Sequence, residues 1–285
     1  MLKIALPNKG RLADETRELF DDAGLEVRVR GGDRALTASL GGAFEALFVR
    51  AQDIPEFVAD GAADAGVTGW DLVCESGRAL ETRLDLGFGR CRLVVAAREE
   101  RAAAALESWT GARVATPFPR LAREFFAARA IAVEVVPVSG AAEAAPHLGI
   151  ADVVVDLTST GSTLRVNGLR EVATVMDSTA RLIASPALAP GQLAAFGELT
   201  AALDSVLCAR DKRYVMANVP RAELERVRQV VPGLDGPTVV DVLDGGALVA
   251  VHAVVPAAGI GRVVAALKAL GARGILVTRI ERLVP

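Results

Sequence analysis

The stretch VVVDLTSTGSTL (153–164) sets an acid, Asp156, at the end of an apolar run and soon follows it with six residues that are all Thr, Ser or Gly. The valines read as a buried strand and the segment from about Leu164 as the start of a helix. Backbone N–H groups at a helix start are unpaired and point outward, so such a loop binds a phosphate. Gly161 lets the chain approach the anion closely, and Thr158, Ser159, Thr160, Ser162 and Thr163 add hydroxyl donors. Asp156 sits at the carboxyl end of the strand, where open α/β sheets bind their ligands, and is placed to accept hydrogen bonds from sugar hydroxyls. The chemistry this pattern suits is the holding of a phosphorylated sugar. No Gly-Lys-Ser/Thr follows, so the loop is not a Walker motif, and it is not a dinucleotide fingerprint either.

An α/β frame must hold that loop, and the flanking sequence supplies one. Short β-branched runs alternate with longer Ala/Leu/Glu/Arg stretches. Strands are predicted at 2–7, 45–50 and 64–69, with helices over 11–23 and 54–60 closed by Gly24 and Gly61, and another helix opening at Asp71. From about residue 90 the alternation restarts, with strands at 91–98, 113–118, 133–138, 151–157, 171–176 and 180–186 and helices over 121–129, 143–148 and 192–209. Beyond a charged junction at 209–213 the pattern reads strand 213–220, helix 221–231, a hairpin of 238–244 and 247–256 across Gly245-Gly246, helix 259–270 and a last strand from 274. That β-α-β-β-α-β order is the ferredoxin-like arrangement. No set of acids, bases or ligands gathers in it, so it reads as a regulatory or assembly module.

Composition narrows the function classes. A chain of 285 residues with 52% hydrophobic and 24% charged side chains is a folding composition long enough for two or three domains. The 32 basic and 35 acidic residues are well mixed, which argues against a general nucleic-acid binder. Cys74, Cys91 and Cys208 are widely spaced and odd in number, a pattern for neither a disulfide framework nor a zinc site. No segment reads as a signal core or a membrane span, and the expected location is the cytoplasm.

The segments PNKGRL (7–12), RAQDIPEFV (50–58), DAGVTGWDLV (64–73) and GAAEAAPHLGIADVVVDLTSTGSTLRVNGL (140–169), with the C-terminal unit, resemble ATP phosphoribosyltransferase in its long form, in the family's order and over essentially the whole chain. The resemblance implies transfer of the phosphoribosyl group of phosphoribosyl pyrophosphate (PRPP) to N1 of ATP with release of pyrophosphate, the first step of histidine biosynthesis. It implies Mg²⁺, inhibition by histidine, and assembly into dimers and hexamers. The fold implied is α/β: a two-lobed, periplasmic-binding-protein-like catalytic core plus a C-terminal ferredoxin-like, ACT-like domain. The expected division is 1–90 with 178–210 as one lobe, 91–177 as the lobe carrying the PRPP loop, and 211–285 as the regulatory domain.

Roles follow from the chemistry implied. Breaking the ribose C1–O bond builds positive charge on the sugar and negative charge on the departing pyrophosphate, so fixed cations are the enzyme's main lever. Arg11 beside Lys9, Arg34 in GGDRAL, and Arg50 at the end of EALFVR are the candidates. Trp70 and Asp71 follow the Thr68-Gly69 turn and could meet ATP; Glu143 resembles a family acid facing the ribose or adenine. Neither His147 nor His252 is required, since N1 of adenine is an unprotonated nucleophile at neutral pH. No protein ligand set for a metal is evident. For histidine as effector, Asn218, Thr238 and the strand edge from Gly274 to Thr278 are the best-matched positions. Three other readings stay open on sequence alone: a non-catalytic small-molecule-binding protein, a catalytically silent regulatory paralogue, and a phosphoribosyltransferase for another base.

Overall fold

The computed structural model describes residues 1–27, 36–242 and 246–284. Two compact units make up the chain, Met1–Asp21 with Leu25–Glu198 and Asp22–Gly24 with Leu199–Pro285. The first opens with β1 (Leu2–Pro7), α1 (Arg11–Asp22), β2 (Thr37–Ser39), β3 (Phe44–Val49), α2 (Ile54–Ala59), β4 (Ala65–Gly69), α3 (Trp70–Ser76) and β5 (Glu81–Asp85). The chain then crosses into β6 (Cys91–Arg98), α4 (Glu99–Ala102), β7 (Arg113–Thr116), α5 (Pro119–Ala127), β8 (Glu134–Pro137), β9 (Val153–Thr158), α6 (Ser162–Val166) and β10 (Leu169–Ser178). It crosses back with β11 (Ala180–Ala184), after which comes α7 (Pro190–Arg210).

Two sheets result. The first has the order β2-β3-β1-β4-β11-β5 and the second β10-β6-β9-β7-β8. In the first, β3, β1 and β4 run parallel, and β11 lies antiparallel between β4 and β5. In the second, β9 pairs antiparallel with β6 and parallel with β7. The three valines of β9 are fully buried because both faces of the strand are covered. Val153 and Val155 face a cluster containing Trp109, Phe125 and Phe126, while Val154 faces Val94, Leu164 and Leu169. A strand clamped on both faces delivers its carboxyl end to a fixed place, and Leu164 pins the helix that follows onto the same core.

The second unit contains β12 (Lys212–Pro220), α8 (Leu224–Val230), β13 (Thr238–Asp241), β14 (Leu248–Pro256), α9 (Ile260–Ala269) and β15 (Arg273–Arg279). Its four-stranded sheet has the order β13-β14-β12-β15 and is antiparallel throughout. Val215, Ala217, Val219, Val249, Val251 and Val255 alternate onto the face that packs against Val227 of α8 and Leu267 of α9. This is the expected βαββαβ order, and the α/β class holds for the whole chain. Among the described residues no helix is long and apolar enough to cross a membrane.

Several local expectations change. The helix foreseen at 143–148 is only a 3₁₀ turn, Ala142–Ala144, because Pro146 lacks the N–H a continuing helix needs. The strand at 171–176 extends to Leu169–Ser178, reaching the crossing point. β5 went unforeseen: ETRLD is polar and sits at a sheet edge, where no apolar run marks it. The charged junction shrinks to Asp211, since α7 runs to Arg210 and β12 starts at Lys212. Arg34 lies outside the described residues, as does Gly245 of the foreseen hairpin turn.

Candidate active site

At the carboxyl ends of β1, β3 and β4 a cavity of about 410 Å³ opens, lined by Lys9, Gly10, Arg11, Leu12, Arg50, Ala51, Gln52, Gly69, Asp71, Leu72, Gly89 and Leu157. Lys9, Arg11 and Arg50 bring three cations to it, and Leu12, Ala51, Leu72 and Leu157 bring apolar wall. Arg11 starts α1, on the first sheet's side, yet its Nη1 donates to Ser159 Oγ at 2.7 Å, in the loop that follows β9 of the second sheet. The same nitrogen lies 3.4 Å from the Arg90 carbonyl, which also accepts from Ser159 Oγ at 3.3 Å. The cation and the hydroxyl loop therefore meet at one point, where the chain enters β6.

Within the loop, Thr158 is buried and its Oγ1 accepts the Gly161 N–H at 2.8 Å. The Thr160 and Ser162 hydroxyls lie 2.9 Å apart, and both side chains are exposed together with Ser159 and Thr163. Gly161 is left-handed at φ 72°, a conformation that favours glycine, and an added Cβ would come within 2.7 Å of Glu171 Oε1 and 2.9 Å of Arg165 Nη1, so both side-chain ends would have to move. Behind it, Glu171 Oε2 is paired to Arg92 Nη1 at 2.8 Å. Asp156 accepts the Leu157 N–H at 2.7 Å. Burial raises its carboxyl above the usual range; the Leu157 bond lowers it, and the nearby charge of Glu143 raises it again.

Asp71 is almost fully buried, although it lines the cavity. The Ser178 hydroxyl donates to its Oδ1 and accepts the Asp71 N–H at 3.0 Å. Desolvation raises this carboxyl, opposed by the Ser178 hydrogen bond, by its own backbone N–H and by Arg11. A Cβ on Gly69 would press on Asp71 Oδ1, so the turn before α3 must be glycine for the carboxyl to take this position.

Comparison with known proteins gives this geometry its context. The model of the ATP phosphoribosyltransferase family, HisG, matches residues 50–205, and that of its C-terminal domain matches 209–282. An ATP phosphoribosyltransferase of Gemmatimonas aurantiaca is 66% identical over 294 residues, covering all of both chains. The chain belongs to the ATP phosphoribosyltransferase family. A relative of the same description from Halobacterium salinarum is 50% identical over 99% of this chain and all of its own. Among solved structures, an ATP phosphoribosyl transferase (HisG:HisZ) complex from Thermotoga maritima has a chain matching at TM-score 0.65 and 25% identity, over 73% of this chain and 98% of that one.

In this phosphoribosyltransferase the cavity and loop gather Lys9, Arg11, Arg50, Asp71 and residues 156–163. Glu143 stands outside the cavity lining but close enough to Asp156 to act on its charge. Trp70 is turned away: it packs against the cluster of Ile54, Val58 and Val73 and carries the Arg181 guanidinium 5.7 Å from its ring centre. Asp71 and Leu72 of the same helix line the cavity, whereas Trp70, one position earlier, packs onto that other cluster. Sequence reasoning passed over Gln52, Gly89 and Ser178. Gln52 lies in one of the quoted family segments, and Gly89 in the glycine-bearing DLGFGR at the crossing, so both carried a signal. His147 is engaged elsewhere, its Nε2 2.6 Å from the Asn167 carbonyl.

In the second unit, Asn218, Thr238 and Thr278 share one sheet face with Tyr214 and His252, opposite the helices, but on different strands. Gly274 lies beside Asn218, whose Nδ2 is 3.9 Å from where its Cβ would be. Thr238 and Thr278 occupy opposite edge strands, roughly 14 Å apart at normal strand spacing, and do not converge on one small ligand within a single chain.

Proposed function

We propose that this chain transfers the 5-phosphoribosyl group of PRPP to N1 of ATP, giving phosphoribosyl-ATP and pyrophosphate, as the first step of histidine biosynthesis in the cytoplasm. The observation that carries the reading is the hydrogen bond from Arg11 to Ser159, which joins a cation-lined cavity to a loop built for a phosphate. In this reading residues 158–163 hold the 5′-phosphate, and Asp156 accepts from the ribose hydroxyls. Arg11 and Arg50, with Arg34, stabilise charge on the departing pyrophosphate, and Lys9 meets a nucleotide phosphate. The apolar walls and Asp71 receive adenine. C1 gains N1 as it loses the pyrophosphate oxygen, with inversion, and no protein base is needed because the attacking lone pair is already free.

Mg²⁺ belongs to the reading as a companion of the substrate phosphates. Among the described residues no cluster of three or more His, Cys, Asp or Glu could cage a metal, and a cation carried on phosphates needs only one or two carboxylates. Asp156, raised chiefly by burial and further by the charge of Glu143, would hold it together with Glu143. When bound, the ion neutralises charge on the leaving group.

Residues 1–90 with 178–210 and residues 91–177 are the two catalytic lobes in this proposal, and 211–285 is the domain through which histidine inhibits a homo-oligomer. Asn218 and Gly274, neighbours on one face, are the better-supported effector contacts; Thr238 and Thr278 serve a single ligand only with help from another chain. The test is pyrophosphate release from purified protein given ATP, PRPP and Mg²⁺, with and without histidine. Turnover that needs both substrates and falls with histidine is expected. Turnover without suppression removes the effector role, and PRPP binding without turnover makes the chain a silent paralogue.

A further inference from the structure

Ser178 is the last residue of β10, at the point where the chain leaves the second sheet, and it is buried. It forms a reciprocal pair with Asp71 of α3: its hydroxyl donates to Oδ1 and accepts the Asp71 N–H at 3.0 Å. A carboxylate has about four acceptor sites, so the pair leaves capacity for a donor entering the cavity. The walls beside it, Leu12, Ala51, Leu72 and Leu157, suit a flat apolar base, while Lys9, Arg11 and Arg50 suit phosphates.

We propose that Ser178 is a positioning residue for the transfer: its hydroxyl holds the Asp71 carboxylate in one orientation, as acceptor for the exocyclic amino group of the adenine. The proposal rests on the reading that this cavity takes ATP. The nucleophilic ring nitrogen adjoins the carbon that bears the amino group, so fixing the amino group fixes the direction of attack. Ionised, both carboxyl oxygens accept only, and strongly; protonated, one of them becomes a donor and the acceptor left is weaker. Burial opposes ionisation, and the Ser178 bond is the largest influence restoring it. Among the described residues, the other charged or titratable groups around Asp71 are Arg11 at the start of α1, Cys74 further along α3 with Arg181 of β11 acting on it, and Lys9 after β1 and Arg50 after β3, which line the same cavity. Arg11 also favours the ionised form, and its own hydrogen bonds go to Ser159 and the Arg90 carbonyl rather than to Ser178. Loss of the hydroxyl therefore raises the Asp71 carboxyl further and lowers its ionised fraction at any given acidic pH.

The experiment compares wild type, Ser178→Ala, Ser178→Thr and Asp71→Asn as full chains. The readouts are pH profiles of kcat/KM for ATP, PRPP binding by calorimetry, and the binding preference for ATP over ITP by the same method; the 6-oxo group of ITP accepts where adenine donates, and its N1 carries a hydrogen, so it serves as a binding probe and not as a substrate. Ser178→Ala is expected to lose about tenfold or more in kcat/KM for ATP near neutrality, the scale of a hydrogen bond to a charged group. Its acid limb should move to higher pH, PRPP binding should stay within about twofold, and Ser178→Thr should restore the wild-type profile. Asp71→Asn, whose amide can donate as well as accept, should narrow the preference for ATP. An unshifted acid limb in a folded Ser178→Ala protein, or a uniform loss at every pH that tracks a lower Tm, overturns the positioning role. Full activity and unchanged preference in Asp71→Asn overturns the adenine reading itself, and the two failures are distinguishable.

Discussion

Arg11 and Asp71 face one cavity under opposite conditions, and each makes a separate claim on experiment. Arg11 reaches Ser159 from the other sheet, and in the proposed reaction it follows charge as it develops. Arg11→Ala should cost about 10²–10³ in turnover with the fold intact; a loss of tenfold or less, measured as kcat on a correctly folded variant, would remove it from the catalytic groups. Asp71 is kept buried at a cost. Because desolvation raises its folded-state value above the unfolded one, the native state holds the proton over a window where the unfolded chain has lost it. Stability therefore falls as pH rises through that window from the ordinary carboxylate value and stays reduced above it. Asp71→Asn, which removes the charge but can still accept from Ser178, should raise Tm at neutral pH by about 2–4 °C, close to 1 kcal/mol for a protein of this size. The gain should vanish in acid below the ordinary carboxylate value. A variant no more stable than wild type at pH 7 would show that the hydrogen bonds fully offset the desolvation.

The element that matters most for the loop is β9 with α6, fixed by Val154 and Leu164 in one apolar cluster. Leu164→Ala should destabilise by about 2–5 kcal/mol in chemical denaturation. It should also raise KM for PRPP more than KM for ATP, since only the phosphate loop is loosened; equal effects on both would deny the loop its separate role. This element was legible in the sequence because a strand covered on both faces has nowhere to put a polar residue, and Val153 to Val155 say so directly. The βαββαβ unit was legible for a similar reason, its inward valines alternating with outward residues along β12 and β14. What stayed hidden depended on distance or on direction. Asp71 and Ser178 are 107 positions apart and Arg11 and Ser159 are 148 apart, so no local pattern links them. Trp70 and Asp71 are neighbours in the sequence, yet Trp70 packs into an apolar cluster while Asp71 lines the cavity. Pro146 was visible in the sequence, but its power to cut a helix to one 3₁₀ turn was underweighted.

At the scale of the whole molecule, the proposed control by histidine can be tested apart from catalysis. Asn218→Ala lies far along the chain from every cavity residue and should leave uninhibited turnover unchanged, while raising the histidine concentration for half-inhibition about tenfold, within the usual range of coupling between sites. An unchanged inhibition curve would move the effector to another part of the sheet. The order of strands in the catalytic unit also has a consequence for how the protein is made. β11 is inserted between β4 and β5, so the first sheet cannot close until Ala180–Ala184 has left the ribosome. The second sheet has all its strands by Ser178. At about 5–20 residues per second, β4 waits several seconds with an open edge that another chain could pair with. The half that carries the phosphate loop is thus complete before the half that carries Arg11, and a nascent chain that has emerged only as far as Ser178 would own a finished anion loop beside an unfinished, association-prone sheet.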